Sequence, residues 1–275
     1  MNPDGKTRNI NGVSVHFTLD GPEGAPVITF AHALSLDLRS FNPQIAAFRD
    51  RYRVLRFDLR GHGRTDKDGQ AFSMEDLAKD VVGLLDHIGV EKTHFVGSSL
   101  GAMVGLALAL EHADRLSSLT FMASQGALPD ERIAAARDNI AAMRASGATA
   151  RTTMESQADA LLGRLLHDPD EARHSERLAL LRRILGGTTL FGQARAYEAI
   201  LAMNYDSRLG EIHTPTLILA GAQDTSTTPA RMQMYKDGIA GARMAILKGA
   251  GHFPNVEQPG AFNDVLQTFL NGLDR

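Results

Sequence analysis

The sequence feature that most limits the fold of this 275-residue chain is a serine between two glycines, G-S-S-L-G at positions 97–101. An apolar segment, Thr93–Val96, precedes it, and Ala102–Leu110, a run of small and apolar residues suited to a buried helix, follows it. A G-x-S-x-G sequence between a strand and a helix predicts a sharp turn that exposes its central serine at the carboxyl end of a sheet. Ser99 is therefore the candidate nucleophile, while Ser98 occupies the variable position. The two glycines fit this turn, because other backbone is expected to pass close to them.

Short apolar runs bounded by Gly, Pro or Asp alternate with helical patterns through the first half of the chain. Ser73 is a predicted helix N-cap, and Leu77, Val81 and Leu84 then lie on one apolar stripe. This alternation predicts an α/β fold with a mostly parallel sheet covered by helices on both faces. The predicted strands are Val13–Leu19, Pro26–Ala31, Tyr52–Asp58, Thr93–Gly97, Leu116–Met122, Pro215–Ala220 and Ala242–Leu247.

The pattern changes near residue 125. No strand is predicted from about Pro129 to Arg208, and the apolar spacing there indicates several helices. We therefore predict a core domain of residues 1–125 and 207–275 with a helical cap of residues 126–206. Gln125 follows a predicted strand, so the cap is expected to leave the sheet at the edge that presents Ser99 and to govern which substrate is accepted.

A serine hydroxyl is a weak nucleophile at neutral pH and needs a base, which in turn needs an orienting acid. After a G-x-S-x-G turn, the expected chain order is serine, then an acid, then histidine. Asp224 follows the predicted strand Pro215–Ala220, and His252 lies in a Gly-rich loop after the last predicted strand. Carboxyl ends of parallel strands meet at one edge, so Ser99, Asp224 and His252 are the candidate catalytic residues.

Other histidines compete for the role of base. His62 lies in a Gly-His-Gly turn that it is expected to shape, and His32 is expected to order the loop after the second predicted strand. His94 lies within a strand and His87 on the polar side of a helix. His252 is therefore the preferred base.

Attack on a carbonyl produces an oxyanion, which needs preorganised hydrogen-bond donors. The backbone N–H of Leu100, directly after the candidate nucleophile, is the first expected donor. The second is expected from the loop at 32–35, where we select the backbone N–H of Leu34.

Composition excludes several classes of function. The chain has no cysteine, which excludes disulfides, thiolate metal sites and a cysteine nucleophile. Its formal net charge of −3 gives no electrostatic reason to expect binding to nucleic acid or to an anionic membrane. No metal-ligand spacing and no G-x-G-x-x-G after the first strand are found, so we expect no metal and no cofactor. Without a signal-peptide pattern or a long apolar run, a cytoplasmic protein with a small-molecule substrate is expected.

Three stretches resemble one family. The chain resembles the α/β-hydrolase superfamily, and within it the 3-oxoadipate enol-lactonases, at residues 33–38, 57–66 and 252–263. The resemblance implies that Ser99, Asp224 and His252 form a triad, with Leu34 and Leu100 at the oxyanion hole. It also implies a cofactor-independent hydrolase of a small carboxylic ester or lactone. The chain departs from those enzymes in the cap, which has no tryptophan.

Two further functions remain open on the same residues. One is carbon–carbon bond hydrolysis or cofactor-free perhydrolysis, although the loop at 32–34 lacks the glycine-rich stretch associated with carbon–carbon hydrolases. The other is a non-catalytic small-molecule receptor. An anionic substrate would need a cation. The cap holds many arginines, among them Arg132, Arg137, Arg144 and Arg151. Most are expected on a solvated face, and one that turned inward would be able to hold a substrate carboxylate. A dehalogenase is disfavoured because it would need an aspartate at the position of Ser99.

Overall fold

The computed structural model describes residues 5–65, 70–145, 153–168 and 176–273. Within these residues, one sheet contains eight strands, β1 Lys6–Ile10, β2 Val13–Asp20, β3 Val27–Ala31, β4 Arg53–Phe57, β5 Thr93–Ser98, β6 Leu116–Met122, β7 Thr216–Gly221 and β8 Arg243–Leu247. Their order across the sheet is β1-β2-β4-β3-β5-β6-β7-β8. The β1–β2 and β2–β4 pairs are antiparallel, and the remaining pairs are parallel. The predicted mostly parallel sheet is confirmed.

The described α-helices are α1 Asn42–Phe48, α2 Met74–His87, α3 Leu100–Glu111, α4 Asp130–Ala145, α5 Ala158–Leu165, α6 Glu176–Gly187, α7 Leu190–Ala202, α8 Pro229–Gly238, α9 Pro254–Glu257 and α10 Pro259–Asn271. The predicted N-cap of α2, Ser73, is confirmed. The Ser73 hydroxyl accepts from the Asp76 N–H at 3.1 Å, and the Asp76 carboxylate accepts from the Ser73 N–H at 3.0 Å. Of the helices that the structure describes, none combines the length and apolar character that a membrane crossing requires.

Helices cover both faces of the sheet, as predicted. On one face, α2 and α3 pack into the largest apolar cluster, and α3 is buried along nearly its whole length. On the other face, Phe48 of α1 and Phe262 and Leu266 of α10 pack against Phe30 and Val96 of the central strands. The turn at Ser99 therefore lies at the end of a central strand, between β3 and β6, with both of its flanking elements held in the core.

The chain between β6 and β7 contains α4, α5, α6 and α7. Its two ends meet, because Ala127 and Asn204 form an antiparallel bridge and the Tyr205 N–H donates to the Gly126 carbonyl at 2.8 Å. Apolar side chains of α5 and α6 pack with Leu36 of the core, whereas α7 joins the largest core cluster. The domain boundaries at 1–125, 126–206 and 207–275 stay a prediction. We use "cap" below for residues 126–206.

Candidate active site

Ser99 has a backbone conformation that few residues other than glycine adopt, with φ 48° and ψ −109°. Two contacts, one with the last residue of β6 and one with the chain that follows it, hold it there. The Ser99 N–H donates to the Met122 carbonyl at 2.9 Å, and the Ser124 hydroxyl donates to the Ser99 carbonyl at 2.7 Å. Strain of this kind persists only where surrounding contacts enforce it, and it is concentrated at functional sites.

The two glycines of the turn are required by close backbone contacts. A Cβ on Gly97 would lie 2.3 Å from the carbonyl oxygen of Gly101, and a Cβ on Gly101 would lie 2.1 Å from the carbonyl oxygen of Ala31. No side chain fits at either distance. The expectation that other backbone passes close to both glycines is confirmed.

Asp224 and His252 form a buried pair, with Nδ1 of His252 2.8 Å from Oδ2 of Asp224. The other carboxylate oxygen accepts from the N–H groups of Ser226, at 2.7 Å, and Thr227, at 3.1 Å. The Thr227 hydroxyl donates to Oδ2 at 2.6 Å. Because an ionised carboxylate only accepts hydrogen bonds, Nδ1 carries the imidazole proton and Nε2 keeps its lone pair.

The charge state of Asp224 follows from these contacts. Burial by itself would raise the pKa of Asp224, but the hydrogen bonds from His252 and Thr227 outweigh it and lower the pKa below its ordinary value. Asp224 is thus an anion at neutral pH, suited to orienting an imidazole and stabilising its protonated form.

Ser99 and His252 line the same cavity, which has a volume of about 590 Å³. Leu34 lines it as well, and Asp224 reaches it through His252. The cavity lies between the carboxyl edge of the sheet and the cap, which contributes residues from α4, α5 and α7 to the wall. The principal cap residues in the lining are Leu128, Pro129, Glu131, Arg132, Leu161, Arg164, Leu165, Gln193, Tyr197 and Ile200.

The two leucines selected as oxyanion donors lie at the ends of neighbouring elements, and their role stays a prediction. Leu100 is the first residue of α3, where an N–H has no acceptor within its own helix. Leu34 follows β3 in a turn that Ser35 closes with φ 66°. No described residue accepts a hydrogen bond from the N–H of either leucine.

His32 and His62 both lie outside the cavity lining, and each has a backbone hydrogen-bond partner. His32 is fully buried; its Nδ1 lies 2.8 Å from the Ala33 carbonyl oxygen, and its Nε2 accepts from the Leu59 N–H at 2.9 Å. Burial lowers the pKa of His32, which favours its neutral form. Nδ1 of His62 lies 2.9 Å from the Arg60 carbonyl oxygen. Both histidines hold turns together, in agreement with the roles expected for them.

Of the four arginines proposed for the cap, Arg132 lines the cavity and donates to the Ser226 carbonyl at 3.2 Å. Arg137 is exposed outside the lining, Arg144 pairs with Glu198, and Arg151 lies outside the described residues.

Two further lining residues were not anticipated from the sequence. Arg164, on α5, has no carboxylate partner among the described residues, so its charge is available to a ligand. Gln193, on α7, is a buried amide whose Oε1 has no hydrogen-bond partner within the described chain. Neither residue lies in a motif, and only the packing of the helices brings them to the cavity.

Metal binding has no support from the described residues, since no group of three or more His, Asp or Glu side chains there could hold an ion. Ser99 and His252 present a hydroxyl and an imidazole at this cavity, and Asp224 holds the imidazole from behind.

A family model, sequence relatives and solved structures all point to the same family of proteins. The model of the family described as "alpha/beta hydrolase fold" matches residues 26–259. The chain is 29% identical over 265 residues to 3-oxoadipate enol-lactonase 1 of Acinetobacter baylyi, with 96% of each chain covered. The crystal structure of the enol-lactonase from Burkholderia xenovorans LB400 superposes with a TM-score of 0.87 at 31% identity, covering 97% of this chain and all of that one. A hydrolase from Pseudomonas aeruginosa PA01 superposes with a TM-score of 0.90 at 30% identity, covering 98% and 99% of the two chains.

Proposed function

The chain belongs to the α/β hydrolase fold family, and we propose that within this family it is a cofactor-independent serine hydrolase that cleaves a small carboxylic ester or lactone. The observation that carries the proposal is the placement of Ser99 and His252 on one cavity, with His252 held by the buried anion of Asp224. Hydrolases that resemble the chain over nearly its full length, two of them named as enol-lactonases, support the same class of reaction.

The proposed reaction has two stages. Ser99 Oγ attacks the carbonyl carbon while its proton passes to Nε2 of His252, and the oxyanion accepts hydrogen bonds from the N–H groups of Leu34 and Leu100. Collapse of the tetrahedral intermediate breaks the carbon–oxygen bond, and the leaving oxygen takes the proton from His252. Water, deprotonated by His252, then hydrolyses the acyl-enzyme and restores Ser99. Asp224 stays ionised throughout and stabilises the imidazolium.

The first test identifies the nucleophile. A chromogenic ester such as p-nitrophenyl acetate should be turned over, and Ser99→Ala should lower kcat by about 10⁶-fold. A phosphonate should label Ser99 and not Ser98, the buried neighbour. Full activity in Ser99→Ala, or labelling at Ser98, would reject the assignment. A folded protein that binds small ligands but never turns over esters or lactones would favour the receptor.

The second test identifies the base. His252→Ala should abolish turnover, whereas His62→Ala should retain it wherever the protein stays folded, because His62 faces backbone rather than the cavity. Undiminished kcat in His252→Ala would refute the proposed mechanism.

The finer proposal is that the substrate carries a carboxylate, which Arg132 or Arg164 binds. Both arginines line the cavity, and neither has a carboxylate partner among the described residues. A lactone with a free carboxylate would place its carbonyl at Ser99 and its anion against the cap. A paired contact of a guanidinium with a carboxylate is a strong and directional interaction.

Two esters of equal chain length test this proposal, the p-nitrophenyl half-ester of adipic acid and neutral p-nitrophenyl hexanoate. Arg132→Ala or Arg164→Ala should raise KM for the half-ester by about tenfold or more, which corresponds to about 1.4 kcal/mol. The KM for the hexanoate should stay nearly constant. Arg137→Ala is the matched control, since Arg137 is an exposed cap arginine outside the lining. If neither lining variant distinguishes the two esters, a general esterase replaces the carboxylate-lactone proposal.

A further inference from the structure

The loop that carries His252 is hydrogen-bonded to the cap. The His252 N–H donates to the carbonyl of Leu165, at the end of α5, at 2.7 Å. A Cβ on Gly251 would lie 2.4 Å from the same carbonyl oxygen, so glycine is needed for this close approach. Leu165 also lines the cavity. A single short segment of the cap therefore contacts both the substrate space and the backbone of His252.

One carboxylate joins the same two segments from the other side. Oε1 of Glu257, on α9, accepts from the N–H groups of Gly251 and Phe253, each at 3.0 Å. Oε2 accepts from the N–H of His167, in the chain after α5, at 2.7 Å. Glu257 thus holds the residues immediately before and after His252 and ties them to the cap.

We propose that Glu257 is a positioning residue, which sets the placement of the His252 imidazole between Asp224 and Ser99 and couples it to the cap. This inference rests on the proposed function, in which His252 is the base. Glu257 is not itself part of the cavity lining, and its carboxylate accepts from backbone N–H groups rather than from the ring of His252, so it acts through the backbone on either side of His252.

The position requires a carboxylate because its contacts are all donors. Three N–H groups point at its two oxygens, and a carboxylate can accept from all of them. In Glu257→Gln, the amide oxygen is expected to face the two donors of the His252 loop, because the opposite orientation would set the NH₂ group against both. The NH₂ group then faces the His167 N–H, which loses its acceptor. Glu257→Leu removes all three contacts.

We expect a graded loss of kcat in these two variants. With p-nitrophenyl acetate, Glu257→Gln should lower kcat by about tenfold, the effect of one lost hydrogen bond to a charged group, and Glu257→Leu by about 100-fold or more. The KM should stay within about twofold, since the substrate contacts remain in place. Rates are expressed per site that the phosphonate labels at completion, which removes any contribution from unfolded protein.

A spectroscopic measurement follows the imidazole itself. The proton between Nδ1 of His252 and Asp224 should give a downfield proton NMR resonance in the wild type, and this signal should shift or broaden in Glu257→Gln. Glu75→Gln is the matched control. Glu75 is an exposed carboxylate that accepts from the Tyr205 hydroxyl, and it lies outside the cavity lining and the His252 loop. Its kcat and downfield signal should match the wild type.

The outcomes separate this inference from the proposed function. If kcat per labelled site stays within about threefold of wild type in both Glu257 variants, Glu257 only stabilises the fold and the inference is overturned. The same conclusion follows if KM rises while kcat and the downfield signal are unchanged. Failure of the proposed function has a different signature, namely undiminished kcat in His252→Ala.

Discussion

Replacing Asp224 with asparagine isolates the orienting role of the acid from its role in the fold. Asparagine has nearly the same shape as aspartate but one acceptor oxygen instead of two. The oxygen facing the N–H groups of Ser226 and Thr227 must remain an acceptor, because an NH₂ group there would face two donors at 2.7 and 3.1 Å. The NH₂ group consequently takes the place of Oδ2, 2.8 Å from Nδ1 of His252.

That exchange reverses the tautomer of the imidazole. The new NH₂ group donates to Nδ1 of His252, so the ring proton moves to Nε2, and Nε2 can no longer accept the proton of Ser99. In serine proteases the same change lowers kcat by about 10⁴-fold. A factor of 10⁴ is about 5.5 kcal/mol of transition-state stabilisation. We expect a loss of that size here, because the carboxylate meets the ring through the same Nδ1 contact.

The assay compares kcat/KM of Asp224→Asn and wild type on p-nitrophenyl acetate near neutral pH, with thermal unfolding measured in parallel. Asp86→Asn is the control, since Asp86 is an exposed acid paired with Arg115 away from the cavity. A loss below about tenfold would refute the tautomer argument, because the barrier would then be nearly independent of the acid. The thermal unfolding measurement establishes that the variant is folded at the assay temperature, so that the loss reports on the imidazole and not on unfolding.

Two other predictions concern stability. Gly101→Ala places a Cβ 2.1 Å from the Ala31 carbonyl oxygen and should lower the free energy of unfolding in urea by about 3 kcal/mol or more. The control is Gly163→Ala, within α5, where no atom lies within 4 Å of the new Cβ, and it should raise the free energy of unfolding by about 0.5–1 kcal/mol. Equal effects of the two substitutions would contradict the steric argument. Burial alone would raise the pKa of Asp58, but the hydrogen bond with His16 and the backbone N–H donors outweigh it and lower the pKa. The Asp58 carboxylate therefore stabilises the folded state at pH values above the pKa of the unfolded chain. This contribution is lost as the pH falls through the lower pKa of the folded state. Asp58→Asn should therefore lose less stability than wild type between roughly pH 5 and pH 2 in thermal unfolding, and an equally steep loss would show that other groups control acid unfolding.

Most of the sheet could be predicted from local sequence, since buried parallel strands are continuous apolar runs bounded by turn residues. β6 Leu116–Met122 was predicted with its observed bounds. β1 Lys6–Ile10 was missed because four of its five residues are exposed at the sheet edge, which leaves no apolar pattern. Its strand conformation comes from pairing with β2. The short helix α9 was missed for a related reason, since four residues carry too little periodicity to recognise.

The residues of the candidate site could likewise be predicted only in part. Ser99, Asp224 and His252 could be selected because each follows a predicted strand, and parallel strands end at one edge whatever the details of packing. Glu257 could not be assigned a role from its neighbours in sequence, because one of its contacts comes from His167, 90 residues away. Arg164 and Gln193 belong to helices whose inward faces depend on how the cap docks.

The sequence by itself determined which segments become strands, where the strained turn lies and which side chains follow the strands, because backbone propensity, apolar spacing and glycine geometry are properties of neighbouring residues. Only the tertiary structure decided what encloses the cavity, which cations face it unpaired and how the His252 loop is tied to the cap. Those features are hydrogen bonds and contacts between segments far apart in the chain. Their energies depend on distances of a few tenths of an ångström, which exist only after the core and the cap have packed together.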